Sequence, residues 1–226
     1  MVLLTVIVLY PFLLFFLLNE KYFDTGHKLV RFQAKLILFL AGIRSRIQGE
    51  IPRDGRTYIV CSNHSSYLDI LLLYAVFPKY LIFLGKKELG SVPLFSIYFK
   101  KMNILVDRAS PKLSHEAIKK AVLEMNKGRS VVIFPEGTIP DSAPVMKAFK
   151  NGAFKVSIEN NIPILPVSFS NNFRLLEDKW TMDAKCGPGV ANVFFHKVME
   201  PNSPDYKDLI TLRERTKEII QSKLEE

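Results

Sequence analysis

From residue 57 onward the sequence alternates short β-branched and aromatic runs with longer stretches of helical periodicity, a pattern that confines the chain to an α/β domain around a central sheet. Strands are expected at 57–61, 80–84, 104–106, 130–134, 164–169 and 191–195, and helices at 66–76, 94–101, 114–127 and 152–159. Residues 204–224 place Leu209, Leu212, Ile219, Ile220 and Leu224 on one side of a charged stretch and read as a surface helix. The 226 residues suffice for one such core and give no compositional reason for a second full domain.

Ahead of that domain, residues 1–18 contain no charge and read as an apolar helix interrupted by Pro11. At about 1.5 Å per residue it barely matches a hydrocarbon core of roughly 30 Å. Neither the basic n-region nor the small-residue cleavage site of a secretory signal is visible. Residues 26–46 then set Leu29, Phe32, Leu36, Phe39, Leu40 and Ile43 at helical spacing against Lys28, Arg31, Lys35, Arg44 and Arg46. That is an amphipathic helix with a basic face suited to anionic head groups. An ordinary helix packed on the core is the other reading. Its position beside the apolar segment favours a two-helix membrane-docking unit over 1–48, followed by the α/β domain over 49–226. Pro11 and the short length favour shallow insertion over a full span, and Lys21, Lys28 and Arg31 would hold the domain on the cytoplasmic face.

The 31 basic and 22 acidic residues leave a formal charge of +9, so the partners to expect are anionic. A membrane surface and a phosphorylated substrate fit; nucleic acid does not, because the basic residues are spread along the chain without a nucleic-acid motif. Hydrophobic residues make up 48% of the chain, 17 of them Phe, which excludes disorder and leaves apolar surface for lipid. Cys61 and Cys186, without a CxxC or a ligand cluster, exclude a disulfide framework and a zinc site and suit a reducing compartment.

The segment Ser62-Asn63-His64-Ser65-Ser66-Tyr67-Leu68-Asp69 follows an apolar strand and precedes an apolar helix, which displays His64 at a strand-to-helix turn. Residues five apart on one helix point about 140° apart, so His64 meets Asp69 only by preceding the helix. An Asp carboxylate bonded to one imidazole nitrogen leaves the other as a base. With no Gly-x-Ser-x-Gly elbow in the chain, such a pair lacks the nucleophile of a serine hydrolase and suits deprotonation of a bound hydroxyl. Phosphate-loop and dinucleotide patterns are also missing; Gly187-Pro188-Gly189 fails the latter. Taken alone, a His and an Asp at this spacing are more often structural.

Their neighbours shift the balance. The segment resembles the Asn-His-x-Ser-x-x-Asp block of the glycerolipid acyltransferases, specifically the 1-acylglycerol-3-phosphate acyltransferase family, and further blocks occur in that family's order. Gly85-Lys86-Lys87-Glu88-Leu89 resembles its Lys-Glu-Leu segment, and Asn103-Ile104-Leu105-Val106-Asp107-Arg108 its second motif, though Met102 stands where Gly is frequent. Phe134-Pro135-Glu136-Gly137-Thr138 matches the third motif, continued by Ile139-Pro140 where many relatives have Arg or Ser. Phe149-Lys150-Asn151-Gly152-Ala153 and Ile162-Pro163-Ile164-Leu165-Pro166-Val167 complete the series. The blocks span 57–170; the two ends of the chain rest on composition alone.

The resemblance implies a single α/β domain with a mixed central sheet flanked by helices. It implies transfer of a fatty acyl group from acyl-CoA or acyl carrier protein to lysophosphatidate, giving phosphatidic acid at a phospholipid membrane, with no metal or tightly bound cofactor. His64 and Asp69 would be catalytic. Arg108, Lys150 and the Glu136-Gly137-Thr138 turn would hold the acceptor, with Asn63 and Lys86 also at the substrate. Arg suits a phosphate because its planar fork donates bidentately. The alternatives are another acceptor, such as lyso-ornithine lipid or glycerol 3-phosphate, or a non-catalytic protein of the membrane surface.

Overall fold

Tyr58 and Val60 face one apolar cluster and Ile59 and Cys61 another, each of them 0% exposed. The two-residue period of an extended chain therefore gives this segment two dry faces. A strand buried on both sides needs helices on both sides of its sheet. The computed structural model, which describes residues 2–92, 94, 96–107, 109–177, 185–201 and 206–224, has that arrangement.

In chain order the elements are α1 (Val2–Leu17), α2 (Phe23–Leu40), β1 (Ile43–Gly49), β2 (Ile59–Ser62), α3 (Leu68–Val76), β3 (Leu81–Lys86), α4 (Ser96–Met102) and β4 (Ile104–Val106). They continue with α5 (Pro111–Asn126), β5 (Ser130–Ile133), α6 (Gly152–Asn160), β6 (Ile164–Phe169), α7 (Asn172–Leu175), β7 (Gly189–Phe195) and α8 (Tyr206–Gln221). The seven strands form one mixed sheet in the order β1-β7-β6-β2-β5-β3-β4, with β6 and β7 antiparallel and the other neighbours parallel. The α1, α2 and α3 side chains Leu13, Leu17, Val30, Ala34, Leu38 and Leu72 cover one face. The other is covered by Ala117, Ala121 and Met125 of α5, Phe154 of α6, and Leu209 and Ile220 of α8. Truncating a side chain as buried as Leu72 to Ala costs about 2–5 kcal/mol.

The strands and helices expected from residue 57 onward are present, with ends shifted by a few residues. Ahead of residue 57 the structure departs from the sequence reading. The helix expected over 26–46 ends at Leu40, because Gly42, at φ +68, takes the left-handed conformation that terminates a helix. A Cβ there would also lie 2.8 Å from Cβ of Pro188, just before β7. Ile43–Gly49 is instead β1, an edge strand paired with β7, so Arg44 and Arg46 belong to a strand and not to a helical basic face. Arg31 also leaves that face, donating to the carbonyls of Ala75 in the last turn of α3 and of Pro78 just beyond it. The buried side of α2 carries Val30, Gln33, Ala34, Ile37 and Leu38, while Phe32 and Phe39 are 56% and 80% exposed.

Pro11 does not interrupt α1, which is continuous from Val2 to Leu17. Proline removes one backbone donor, and the burial of Val6, Leu13 and Leu17 on the domain holds the helix across it. Leu4, Ile7, Val8, Phe12, Phe15 and Leu18 of the opposite side are all at least half exposed. Among the described residues no helix is long and apolar enough to cross a membrane. The 16 residues of α1 reach about 24 Å, short of the hydrocarbon core.

Candidate active site

β6, β2 and β5 are neighbours in the middle of the sheet and run parallel, so the loops leaving their carboxyl ends meet in one place. Open α/β sheets carry their ligands in such crevices. The loop after β2 brings His64, the loop after β5 brings Glu136, and the loop after β6 brings Asn172.

His64 lies in the turn and Asp69 in the first turn of α3, as the spacing requires. Asp69 Oδ2 accepts from His64 Nδ1 at 2.9 Å and from the backbone N–H groups of Ser65 and Ser66 at 2.8 and 3.0 Å. These donors precede the helix and would otherwise lack partners, so the carboxylate caps the turn while it orients the ring. Asp69 is 0% exposed and the His64 side chain 11%, so the ring alone reaches the crevice. A carboxylate only accepts, which places the proton on Nδ1 and leaves Nε2 as the basic nitrogen. Among the described residues no serine or cysteine side chain bonds to His64.

The ring is also held flat. Phe134 stacks on His64 with centroids 3.8 Å apart and planes 14° from parallel. The backbone N–H of His64 donates to Glu136 Oε1 at 2.9 Å, and that of Lys147 to Glu136 Oε2 at 2.8 Å. Both oxygens of this buried carboxyl therefore bind backbone, and Glu136 faces the His64 turn from within. Burial pushes its carboxyl above the ordinary carboxylate range, against the pull of the two backbone donors. Asn63 is likewise turned inward: its amide donates to the Phe169 carbonyl at 2.9 Å and accepts from the Phe169 N–H at 2.8 Å. That reciprocal pair ties the turn to the end of β6.

Of the remaining residues assigned by resemblance, Gly137, Thr138 and Lys150 come together after β5. Gly137 has φ +80, which only glycine adopts without strain, and a Cβ there would lie 2.8 Å from Lys150 Nζ. The Lys150 N–H donates to the Pro135 carbonyl at 2.8 Å, and its exposed side chain lies over the Gly137 turn. Thr138 is exposed beside it. Lys86 ends β3 and lies 3.8 Å from the Glu88 carboxylate. Arg108 lies outside the described residues, while Asp107 before it pairs with Lys87 at 2.7 Å. Met102 is 3% exposed in the first apolar cluster. Among the described residues no three His, Cys, Asp or Glu side chains are grouped to hold a metal ion.

Sequence reasoning attached no role to Phe134 or Asn172, and it read Asn63 and Glu136 as substrate contacts. Phe134 was legible in principle as the residue opening the third block. Asn172 had no signal, because its partner Asp69 is 103 positions away.

The acyltransferase family model matches residues 42–170. The 1-acyl-sn-glycerol-3-phosphate acyltransferase of Borreliella burgdorferi is 33% identical over 144 residues, 62% of this chain and 57% of that protein. That of Saccharomyces cerevisiae is 31% identical over 144 residues, 62% of this chain and 48% of that protein. That of Cocos nucifera is 30% identical over 135 residues, 59% of this chain and 43% of that protein. The chain thus spans about half the length of the curated relatives it matches. The crystal structure of the 1-acyl-sn-glycerophosphate (LPA) acyltransferase PlsC from Thermotoga maritima shares the fold, with a TM-score of 0.75 and 22% identity over 97% of this chain and 93% of that one.

Proposed function

The chain belongs to the acyltransferase family, and on that premise we propose that it moves a fatty acyl group from acyl-CoA or acyl carrier protein to the free hydroxyl of 1-acylglycerol 3-phosphate, giving phosphatidic acid. The observation that carries the reading is the 2.9 Å bond between His64 Nδ1 and Asp69, which presents Nε2 to the crevice as a base.

In the proposed reaction Nε2 takes the proton of the acceptor hydroxyl as its oxygen attacks the thioester carbonyl. The new C–O bond forms, the C–S bond breaks, and the imidazolium returns the proton to the departing thiolate. A positioned base of this kind contributes about 10²–10⁴-fold. No acyl-enzyme and no cofactor take part. The acceptor phosphate would rest against Lys150 and the Gly137-Thr138 turn, with Arg108 and Lys86 as further cations, so that orientation adds to the rate. Glu136 and Asn63, whose polar atoms are taken by backbone, would support the site without touching substrate.

Both acceptor and product are lipids, and the exposed apolar side of α1, with Phe32 and Phe39 of α2, suits insertion into one leaflet. The domain would then work at the cytoplasmic face of a membrane, where acyl thioesters are found.

Thiol release from palmitoyl-coenzyme A in mixed micelles, with and without lysophosphatidate, tests the reading. Release should depend on the acceptor, vanish in His64→Ala, and show mainly a raised acceptor KM in Arg108→Ala. Release with another lysolipid only would move the acceptor. No release with either donor across an acceptor panel would leave a non-catalytic membrane-surface protein, and release without acceptor would indicate a thioesterase.

A further inference from the structure

The oxygen of Asp69 that faces away from His64 has its own partner. Asn172, the first residue of α7, is 0% exposed, and its Nδ2 donates to Asp69 Oδ1 at 2.6 Å. The three other donors to this carboxylate, His64 Nδ1 and the Ser65 and Ser66 N–H groups, all go to Oδ2. Since a carboxylate can only accept, the amide must turn its NH₂ end toward Asp69. Oδ1 of Asn172 accepts no hydrogen bond among the described residues, so the contact with Asp69 is the one polar bond of this side chain among them.

Asn172 is also held in place independently of that bond. The segment carrying it is fastened to the His64 turn on either side. Asn63 pairs both ways with Phe169 at 2.8 and 2.9 Å, and Ser66 Oγ donates to the Leu176 carbonyl at 2.7 Å. Its amide therefore meets Asp69 from a fixed direction. A carboxylate gripped through one oxygen can swing about its Cβ–Cγ bond; gripped through both, its plane is set, and with it the line along which His64 Nδ1–H points.

We propose that Asn172 is a positioning residue for the His64–Asp69 pair, fixing the carboxylate plane so that the ring keeps its proton on Nδ1 and its Nε2 directed at the acceptor hydroxyl. The proposal rests on the reading of His64 as the base. Among the described residues, two titratable groups act on the Asp69 carboxylate: the His64 ring from its own turn and Glu136 from the loop after β5. From the elements packed on α3, Arg31 of α2 binds carbonyls at its far end and the Arg174 guanidinium of α7 lies over Phe173 at 5.3 Å.

The test compares the full chain with Asn172→Ala and Asn172→Asp by steady-state thiol release over a pH range, and by nitrogen-15 NMR of histidine-labelled protein, with His64→Ala assigning the ring. In N172A kcat should fall about 10–100-fold with KM for both substrates little changed, as for a small misplacement at a reacting centre, and the His64 ring should lose its single Nδ1–H tautomer. N172D puts a second carboxyl against Asp69, and such a pair shares a proton. While that proton is held, the introduced carboxyl donates as the amide did and activity persists; as pH rises and the proton leaves, kcat falls relative to the parent. N172A lacks that extra loss.

A purely structural role would lower the melting temperature of both variants and leave tautomer and pH profile as in the parent, which overturns the proposal. Should N172A fail to fold, N172D decides: a profile parallel to the parent's overturns the proposal as well. A parent without acceptor-dependent release would remove the proposed reaction, while the tautomer comparison would still decide whether Asn172 positions the ring.

Discussion

The backbone N–H of His64 donates to the buried carboxyl of Glu136 at 2.9 Å, joining two loops that are 72 residues apart in sequence. The other oxygen of the same carboxyl accepts from the Lys147 N–H, so Glu136 locks the His64 turn to the segment that leads to Lys150. Glu136→Gln keeps the shape but sets an NH₂ against a backbone N–H. It should destabilise the protein by about 1–3 kcal/mol, the cost of a buried polar group left without a partner. Because the Glu136 carboxyl titrates above its ordinary value, it favours the folded state most at low pH and loses that contribution as pH rises through its folded value. Urea unfolding of the parent against E136Q should show a difference that changes with that sign, and an unchanged difference across pH would contradict the burial argument.

Asp69→Asn tests the orientation of the ring. The amide would donate to His64 Nδ1, move the ring proton to Nε2 and remove the basic nitrogen from the crevice, as happens when the buried Asp of a catalytic triad is changed to Asn. It would also set a donor among the Ser65, Ser66 and Asn172 donors. The expected result is a loss in kcat on the order of 10²–10⁴-fold with KM for the thioester nearly unchanged. An active D69N with the parent's pH profile would show that His64 is not the base.

Much of this site was legible in the residues, for physical reasons that also explain what was not. β5 and β6 were visible because a strand buried on both faces is a continuous apolar run, and His64 and Asp69 because the block around them resembles a family motif, their spacing alone reading as structural. β1 was hidden: Arg44 and Arg46 extend the helical charge pattern of α2, and the period changes only at Gly42. The direction of Glu136 was hidden too, since an acid in a motif reads the same whether it meets a ligand or a backbone N–H. Asn172 depends on a contact that exists only once β2 and β6 are paired.

The exposed side of α1 makes the membrane proposal measurable. Phe12 and Phe15 are 58% and 64% exposed, so moving each from water into lipid would gain about 1–2 kcal/mol. Replacing both with Glu should weaken binding to anionic vesicles more than about ten-fold and shift the melting temperature little, since neither ring is in the core. Equal vesicle sedimentation of parent and double variant would place the membrane contact elsewhere.

His27 makes the fold itself sensitive to acid. Its Nε2 accepts the backbone N–H of Leu81 at 3.2 Å and its ring stacks on Tyr80, so α2 is joined to the start of β3 by a neutral imidazole. Burial, reinforced by Arg31 and Arg129, lowers the pKa of this ring to about 4. The unfolded chain takes up the proton near pH 6.5, while the folded protein resists until about pH 4. The contribution is therefore complete above pH 6.5 and lost as pH falls through this window, up to about 3 kcal/mol at 1.36 kcal/mol per pKa unit. His27→Gln keeps an acceptor for Leu81 but cannot titrate. Urea unfolding at pH 7.0, 5.5 and 4.5 should show the parent losing its advantage over H27Q step by step, because other carboxyl titrations affect both proteins alike. Parallel curves would mean that the ring is protonated in place and that α2 is held to β3 by packing alone.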